Sequence, residues 1–184
     1  MRKLSSILLA GAVALSTIAV AYAANPMVGG APMYNTKNIL ENAVNSKDHT
    51  TLVAAVKAAG LVETLQGSGP FTVFAPVNSA FDALPAGTVD ALLKPEAKDK
   101  LTTILTCHVV AAKAMSADVL KMVKDDGGAH KVKTVGDCEL ILKADGDKII
   151  VTDENGNDAV VTIADVEQSN GVIHVIDKVL LPKM

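Results

Sequence analysis

The run Asn170-Gly171-Val172-Ile173-His174-Val175-Ile176-Asp177-Lys178-Val179-Leu180-Leu181-Pro182 decides the fold class. It is almost unbroken in β-branched and apolar residues, which suits a strand in a sheet interior. Asn170 and Gly171 accept positive φ and mark a turn before it, and Pro182 cannot donate to a ladder and marks its end. One polar ring, His174, stands inside. A buried imidazole must find hydrogen-bond partners, because an unsatisfied buried donor costs about 1–3 kcal/mol.

Working outward, period-two segments precede this run near Lys131–Val135, Glu139–Lys143, Lys148–Thr152 and Ala159–Ile163. They are separated by turn formers: Gly136-Asp137, Asp145-Gly146-Asp147 and the stretch from Asp153 to Asp158. Antiparallel strands follow from that pattern. The first half carries helical spacing instead. Ile39, Leu40 and Val44 share a face; Asp48 offers an N-cap for a helix over His49–Ala59, which Gly60 stops. Asn78 offers a cap for a short helix to Leu84, Leu101, Ile104 and Leu105 line another, and Ser116–Lys124 reads as a capped helix. Cys107–Ala112 reads as a strand. The class is α+β, in one domain and without internal repeats.

A second buried run, Gly69-Pro70-Phe71-Thr72-Val73-Phe74-Ala75-Pro76-Val77-Asn78-Ser79-Ala80-Phe81, is a strand closed by Pro76 that passes into a helical turn. Between the two runs lies Cys107-His108. These three motifs, in this order, resemble the two homology boxes and the central Tyr-His element of the fasciclin domain family, over about Asn38 to Pro182. Phe71, Phe74, Pro76, Asn78 and Phe81 carry the first box; Asn170, Gly171, His174, Asp177 and Pro182 carry the second. Cys107 stands where the family usually has an aromatic, and Val77 where a Thr is common. The resemblance implies a β-wedge or sandwich of mainly antiparallel strands with a helical layer packed on one side. It also implies a non-catalytic extracellular module for cell-surface or matrix adhesion. In animal members integrin binding is attributed to an Asp-Ile pair before the second box and to the Tyr-His element, which makes Asp165, Val166, Cys107 and His108 candidate contacts. An exposed Asp165 is expected, in the connection before Asn170-Gly171. Some relatives carry apolar small molecules such as carotenoids, so a lipid or carotenoid carrier is the alternative.

Export is written at the N-terminus. Arg2 and Lys3 precede an apolar run from Leu4 to Val20, and Ala21-Tyr22-Ala23 followed by Ala24 forms a small-residue cleavage site. The expected organisation is a signal peptide over 1–23, a flexible Gly/Pro/Ala-rich segment over 24–37 and the domain over 38–184, with no retained membrane anchor. The destination is periplasmic or secreted. Losing Arg2 and Lys3 from 17 basic residues leaves 15 against 20 acidic ones, a net charge of −5. That balance lacks the basic footprint of a nucleic-acid binder. The expected partner is a cell-surface or matrix protein or polysaccharide, with weak self-association open.

The two cysteines, Cys107 and Cys138, enter an oxidising compartment and are expected to form a disulfide; two buried thiols acting as small apolar groups are the alternative. Of four histidines, His49 and His130 read as solvated, and His108 and His174 as hydrogen-bonded core residues. No paired-ligand spacing supplies a metal site, and no cofactor is expected. The acidic stretch Asp153-Glu154-Asn155-Gly156-Asn157-Asp158 fails as a calcium loop, with Asp158 at the sixth position and Ala164 at the twelfth; a hairpin turn explains it. Catalytic signatures such as Gly-x-Ser-x-Gly are missing, although Asp, Ser and His from distant positions can still converge in space.

Overall fold

A computed structural model describes residues 25–183. The expected signal and its cleavage site lie outside the described residues, among which no helix is long and apolar enough to cross a membrane.

The N-terminal half is helical: α1 (Ile39–Ala43), α2 (Thr50–Ala59), α3 (Val62–Gln66), then strand β3 (Phe71–Pro76), α4 (Asn78–Asp82), α5 (Thr88–Leu92) and α6 (Lys98–Thr106). Asn38 caps α1 in a reciprocal box, its Oδ1 accepting the Glu41 N–H while Glu41 Oε2 accepts the Asn38 N–H, each at 2.9 Å. Gly60 ends α2 at φ 75°, a conformation that costs glycine little. Asp48 does not cap α2, and Asn78 does not cap its own helix. Instead Asn78 Oδ1 accepts the Thr51 N–H at 3.0 Å, so the first box holds the first turn of α2 from outside.

The second half is β4 (Val109–Val110), α7 (Ser116–Asp125), β5 (Ala129–Lys133), β6 (Glu139–Asp145), β7 (Lys148–Thr152), β8 (Asp158–Gln168) and β9 (Gly171–Ile176). The main sheet has the order β4-β3-β9-β8-β7-β6-β5. All its pairings are antiparallel except β3 with β9, where Phe74 lies opposite His174. Every residue of β9 is buried, as its unbroken apolar run requires.

Alternation along β3 and β9 divides the core. Val73, Ala75, Ile173 and Val175 face Leu52, Val56, Leu101 and Ile104 of the helical layer. Phe74 and Ile176 face the opposite way, onto Leu140, Ile149 and Val151 of the wedge. The helical layer is therefore on one side, as expected, with one addition: α7 covers the other face through Val119 and Val123. Burying each of these aliphatic side chains contributes about 1.5–3 kcal/mol.

Two local expectations are corrected. The 24–37 segment is not loose where described: β1 (Met27–Val28) pairs with β2 (Ala31–Pro32) around Gly29-Gly30, and Val28 and Met33 are buried in the helical core. Their side chains anchor a stretch whose Gly/Pro content suggested freedom. The Cys107–Ala112 strand shrinks to Val109–Val110, because α6 runs through Thr106 with Cys107 as its C-cap. Thr106 Oγ1 donates to the Thr102 carbonyl at 2.8 Å, a back-bond within the last turn of the helix.

Candidate functional site

The motifs converge on Phe74. Its backbone N–H donates to the His108 carbonyl at 2.9 Å, and its ring stacks on His174 with centroids 5.9 Å apart. Of the four candidate contacts, the structure buries three: Cys107, His108 and Val166 are each no more than 2% exposed. In this fold those three side chains cannot touch a macromolecular partner directly.

Each histidine is saturated by backbone. His108 Nδ1–H donates to the Ile104 carbonyl at 2.8 Å, and its Nε2 accepts the Leu180 N–H at 2.9 Å. The ring thereby ties α6 to the C-terminal tail. Burial pushes its pKa down to about 4, against the opposing pull of the Ile104 carbonyl and Asp153. His174 uses the other tautomer, Nε2–H donating to the Ala114 carbonyl at 2.9 Å and Nδ1 accepting the Asp165 N–H at 3.4 Å. Burial again lowers its pKa, with the Ala114 carbonyl and Asp165 opposing. Both rings are neutral at pH 7. With all nitrogens engaged, neither is free to ligate a metal or take a proton from a substrate.

Asp165 is half-buried and lies within β8, where the register shifts between Ile163 and Val166, correcting the expected exposed connection. Its φ of 58° is rare for a side-chain-bearing residue, though Asp tolerates it better than most. This bulge turns the carboxylate onto the start of α7, where one oxygen accepts the Ser116 N–H at 2.6 Å and the other the Ser116 hydroxyl. Asp165 is thus a helix cap supplied from a distant strand. Ser, Asp and His do converge here, but with wiring unlike a catalytic triad. The Ser116 hydroxyl goes straight to the carboxylate, and His174 Nε2 is occupied by a carbonyl.

A linker, residues 111–115, lies over this cluster, and no motif of the sequence marks it. Thr72 Oγ1 donates to the Ala112 carbonyl at 2.6 Å and accepts the Ala114 N–H at 2.9 Å. Lys113 pairs with Glu167 at 2.9 Å, both substantially exposed. A lone Thr inside an apolar strand was the available signal.

The remaining motif residues hold loops. Asn170 Oδ1 accepts the Ile39 N–H at 3.0 Å, while its Nδ2 donates to the Leu65 and Gly67 carbonyls, each at 2.8 Å. Gly171 is required by space, since an added Cβ would come within 2.1 Å of the Phe71 carbonyl oxygen. Asp177 Oδ1 accepts the Val160 N–H at 2.7 Å. Asp153, buried, accepts the Asn155, Asn157 and Leu181 N–H groups, so the acidic stretch is a side-chain-braced hairpin that also pins the tail. Among the described residues no three His, Cys, Asp or Glu side chains group to hold a metal.

Cys107 and Cys138 are disulfide-bonded, their Cα atoms 5.3 Å apart, which staples the end of α6 to the entry of β6. His130 is half-exposed and paired with Asp126. His49 is buried, against expectation, because the turn Lys47–His49 preceding α2 directs it inward to the Ser46 hydroxyl, 2.8 Å from Nδ1.

The family model for the Fasciclin domain matches residues 47–182. The chain belongs to the fasciclin domain family. Among similar proteins, Protein sll1483 of Synechocystis is 49% identical over 158 residues, covering 86% of this chain and 81% of that one. Transforming growth factor-beta-induced protein ig-h3 of Sus scrofa is 38% identical over 71% of this chain, which spans 17% of that protein. Cell surface glycolipoprotein MPB83 of Mycobacterium bovis is 36% identical over 76% of this chain and 58% of its own length. The fold matches the FAS1 domain pair of the insect cell adhesion molecule Fasciclin I at TM-score 0.70 and 20% identity, over 79% of this chain and 51% of that one.

Proposed function

We propose that this fasciclin domain is an exported, non-catalytic interaction module that mediates adhesion to a cell-surface or matrix protein or polysaccharide. Family membership across 47–182 carries the reading, supported by relatives described as a cell surface glycolipoprotein and a cell adhesion molecule. The chain's own geometry supplies a refinement. Cys107, His108, Val166 and Asp165 act as the framework, and the contact surface is the exposed ridge above them, Ala111, Ala112, Lys113 and Glu167. The framework fixes that ridge at Thr72, His174 and Asp165, so a partner meets a pre-ordered surface and less ordering entropy opposes binding. The test is a pull-down from native cell surfaces with residues 24–184, comparing parent with Lys113→Ala/Glu167→Ala. Capture of a surface protein or glycan that weakens at least several-fold in the double variant supports the reading. Undiminished capture moves the contact elsewhere, and no capture by the parent removes the adhesive function.

A further inference from the structure

Two Asn-Gly dipeptides stand in opposite surroundings. Asn170-Gly171 is locked: Asn170 is 7% exposed, its side chain makes three hydrogen bonds, and a Cβ added at Gly171 would collide with the Phe71 carbonyl. Asn155-Gly156 is exposed in the turn between β7 and β8, and a Cβ added at Gly156 would meet nothing within 4 Å. The Asn155 amide also holds the C-terminal tail. Its Nδ2 donates to the Leu181 carbonyl at 2.9 Å and to the Pro182 carbonyl at 3.3 Å. The same turn takes the tail's N–H groups, Asp153 accepting from Leu181 at 3.1 Å and Glu154 from Lys183 at 2.8 Å. Asn155 is the donor of this clasp, and the two carboxylates are its acceptors.

We infer that Asn155-Gly156 is a self-modification site, at which the Asn155 amide is lost and the tail Leu181–Lys183 is unlatched. The Gly156 backbone nitrogen gives its proton to solvent base and attacks Asn155 Cγ. The new N–Cγ bond closes a cyclic imide as the Cγ–Nδ2 bond breaks, and ammonia leaves with a proton from water. Water then opens the imide at either carbonyl, leaving aspartate or, with the chain rerouted through the side chain, isoaspartate. The sum consumes water and releases ammonia, with no change of oxidation state. Glycine favours the attack, having no Cβ to crowd the nitrogen and a backbone free to turn. The Gly156 N–H donates to the Asp153 carbonyl at 3.0 Å, so ring closure awaits the opening of that turn bond, a local event in an exposed loop and not global unfolding. The product carboxylate is an acceptor only, set against two carbonyls that have lost their donor. Isoaspartate also lengthens the turn by a methylene and shifts Asp153 and Glu154 against the tail. Leu180 keeps its own bond to His108 Nε2, so the loosening stops there.

The inference stands apart from the adhesive reading. Its test ages residues 24–184 in mildly alkaline buffer made with ¹⁸O water and maps the products by peptide mass spectrometry. The expected result is amide-to-acid conversion with ¹⁸O at Asn155, at least about ten-fold faster than at Asn170 and mostly as isoaspartate. Gly156→Ala should slow it several-fold. In hydrogen exchange the converted protein should lose protection several-fold at the Leu181 and Lys183 amides while Leu180 stays protected. Asn155→Asp, which carries the product's charge without the rerouted backbone, should shift the same two amides in the same direction. The comparison of Asn155 with Asn170 is made inside one unsubstituted chain, so it decides even where Gly156→Ala does not fold. Conversion at Asn155 no faster than at Asn170, aspartate without isoaspartate, or converted protein whose Leu181 and Lys183 amides exchange at the parent's rate would each overturn the inference.

Discussion

Replacing Asp165 with alanine separates a surface contact from a structural cap. An exposed side chain away from caps and networks should cost no more than about 0.5 kcal/mol. The structure gives Asp165 another role. Its carboxylate accepts both the N–H and the hydroxyl of Ser116 at the start of α7, and its backbone sits at φ 58°. Removing the carboxylate leaves a half-buried N–H unpaired, and alanine tolerates the left-handed conformation less well than Asp. A lost cap at about 1 kcal/mol, a charge-assisted bond at about 1.5–3 and the backbone penalty overlap, giving a net cost of about 2–4 kcal/mol. For a domain of this size that is a drop of about 5–15 °C in melting temperature. Asp165→Asn, which keeps an acceptor and the left-handed tolerance, should lose about half as much. Urea unfolding of the three proteins at pH 7 measures it. A cost below about 0.5 kcal/mol for alanine would refute the capping argument.

Acid should weaken the fold through its buried histidines. His108 has a folded pKa of about 4 against an ordinary 6.5, and His174 and His49 shift the same way, so the unfolded chain binds more protons. Stability is therefore complete above pH 6.5 and falls towards pH 4, by up to about 3 kcal/mol for His108 alone; His108→Gln should flatten the urea midpoint between pH 7 and 5. Cys107→Ala/Cys138→Ala should cost about 3–4 kcal/mol by the loop-entropy model, and the unfolded, unreduced parent should titrate no thiols; two titratable thiols would remove the bridge. Asn170→Ala, which frees the Ile39 N–H and the Leu65 and Gly67 carbonyls, should cost about 2–4 kcal/mol in urea unfolding, and a loss under 1 would show that water replaces those bonds.

The strands of the wedge were legible because burial writes itself as period two: β5, β6 and β7 lie within two residues of where alternation and turn residues put them, whereas β8 runs past Ile163 to Gln168 and β9 stops at Ile176, short of the Pro182 expected to end it. The structural roles of His108 and His174 were legible too, since an imidazole in an apolar run has few other uses. What the sequence hid was long-range polar bonding. Asn78 looks like a local cap and serves α2; Asp165 looks like a loop residue and serves α7. Neither partner is near in sequence, so no local pattern encodes it. His49 was misplaced because its direction depends on a single turn before α2, although Ser46 three residues earlier was a usable sign. The hairpin around Gly29-Gly30 was hidden because two-residue strands are too short to show alternation, so the stretch showed only its Gly/Pro content.

Adhesion is the central claim, and single weak contacts gain strength only when clustered. The most direct measurement displays residues 24–184 at high density on beads and scores their retention on native cells or matrix under flow. Retention far above beads carrying an unrelated protein, competed by the soluble domain and reduced by Lys113→Ala/Glu167→Ala, is the predicted result. Retention equal to the control beads at every density would contradict the account.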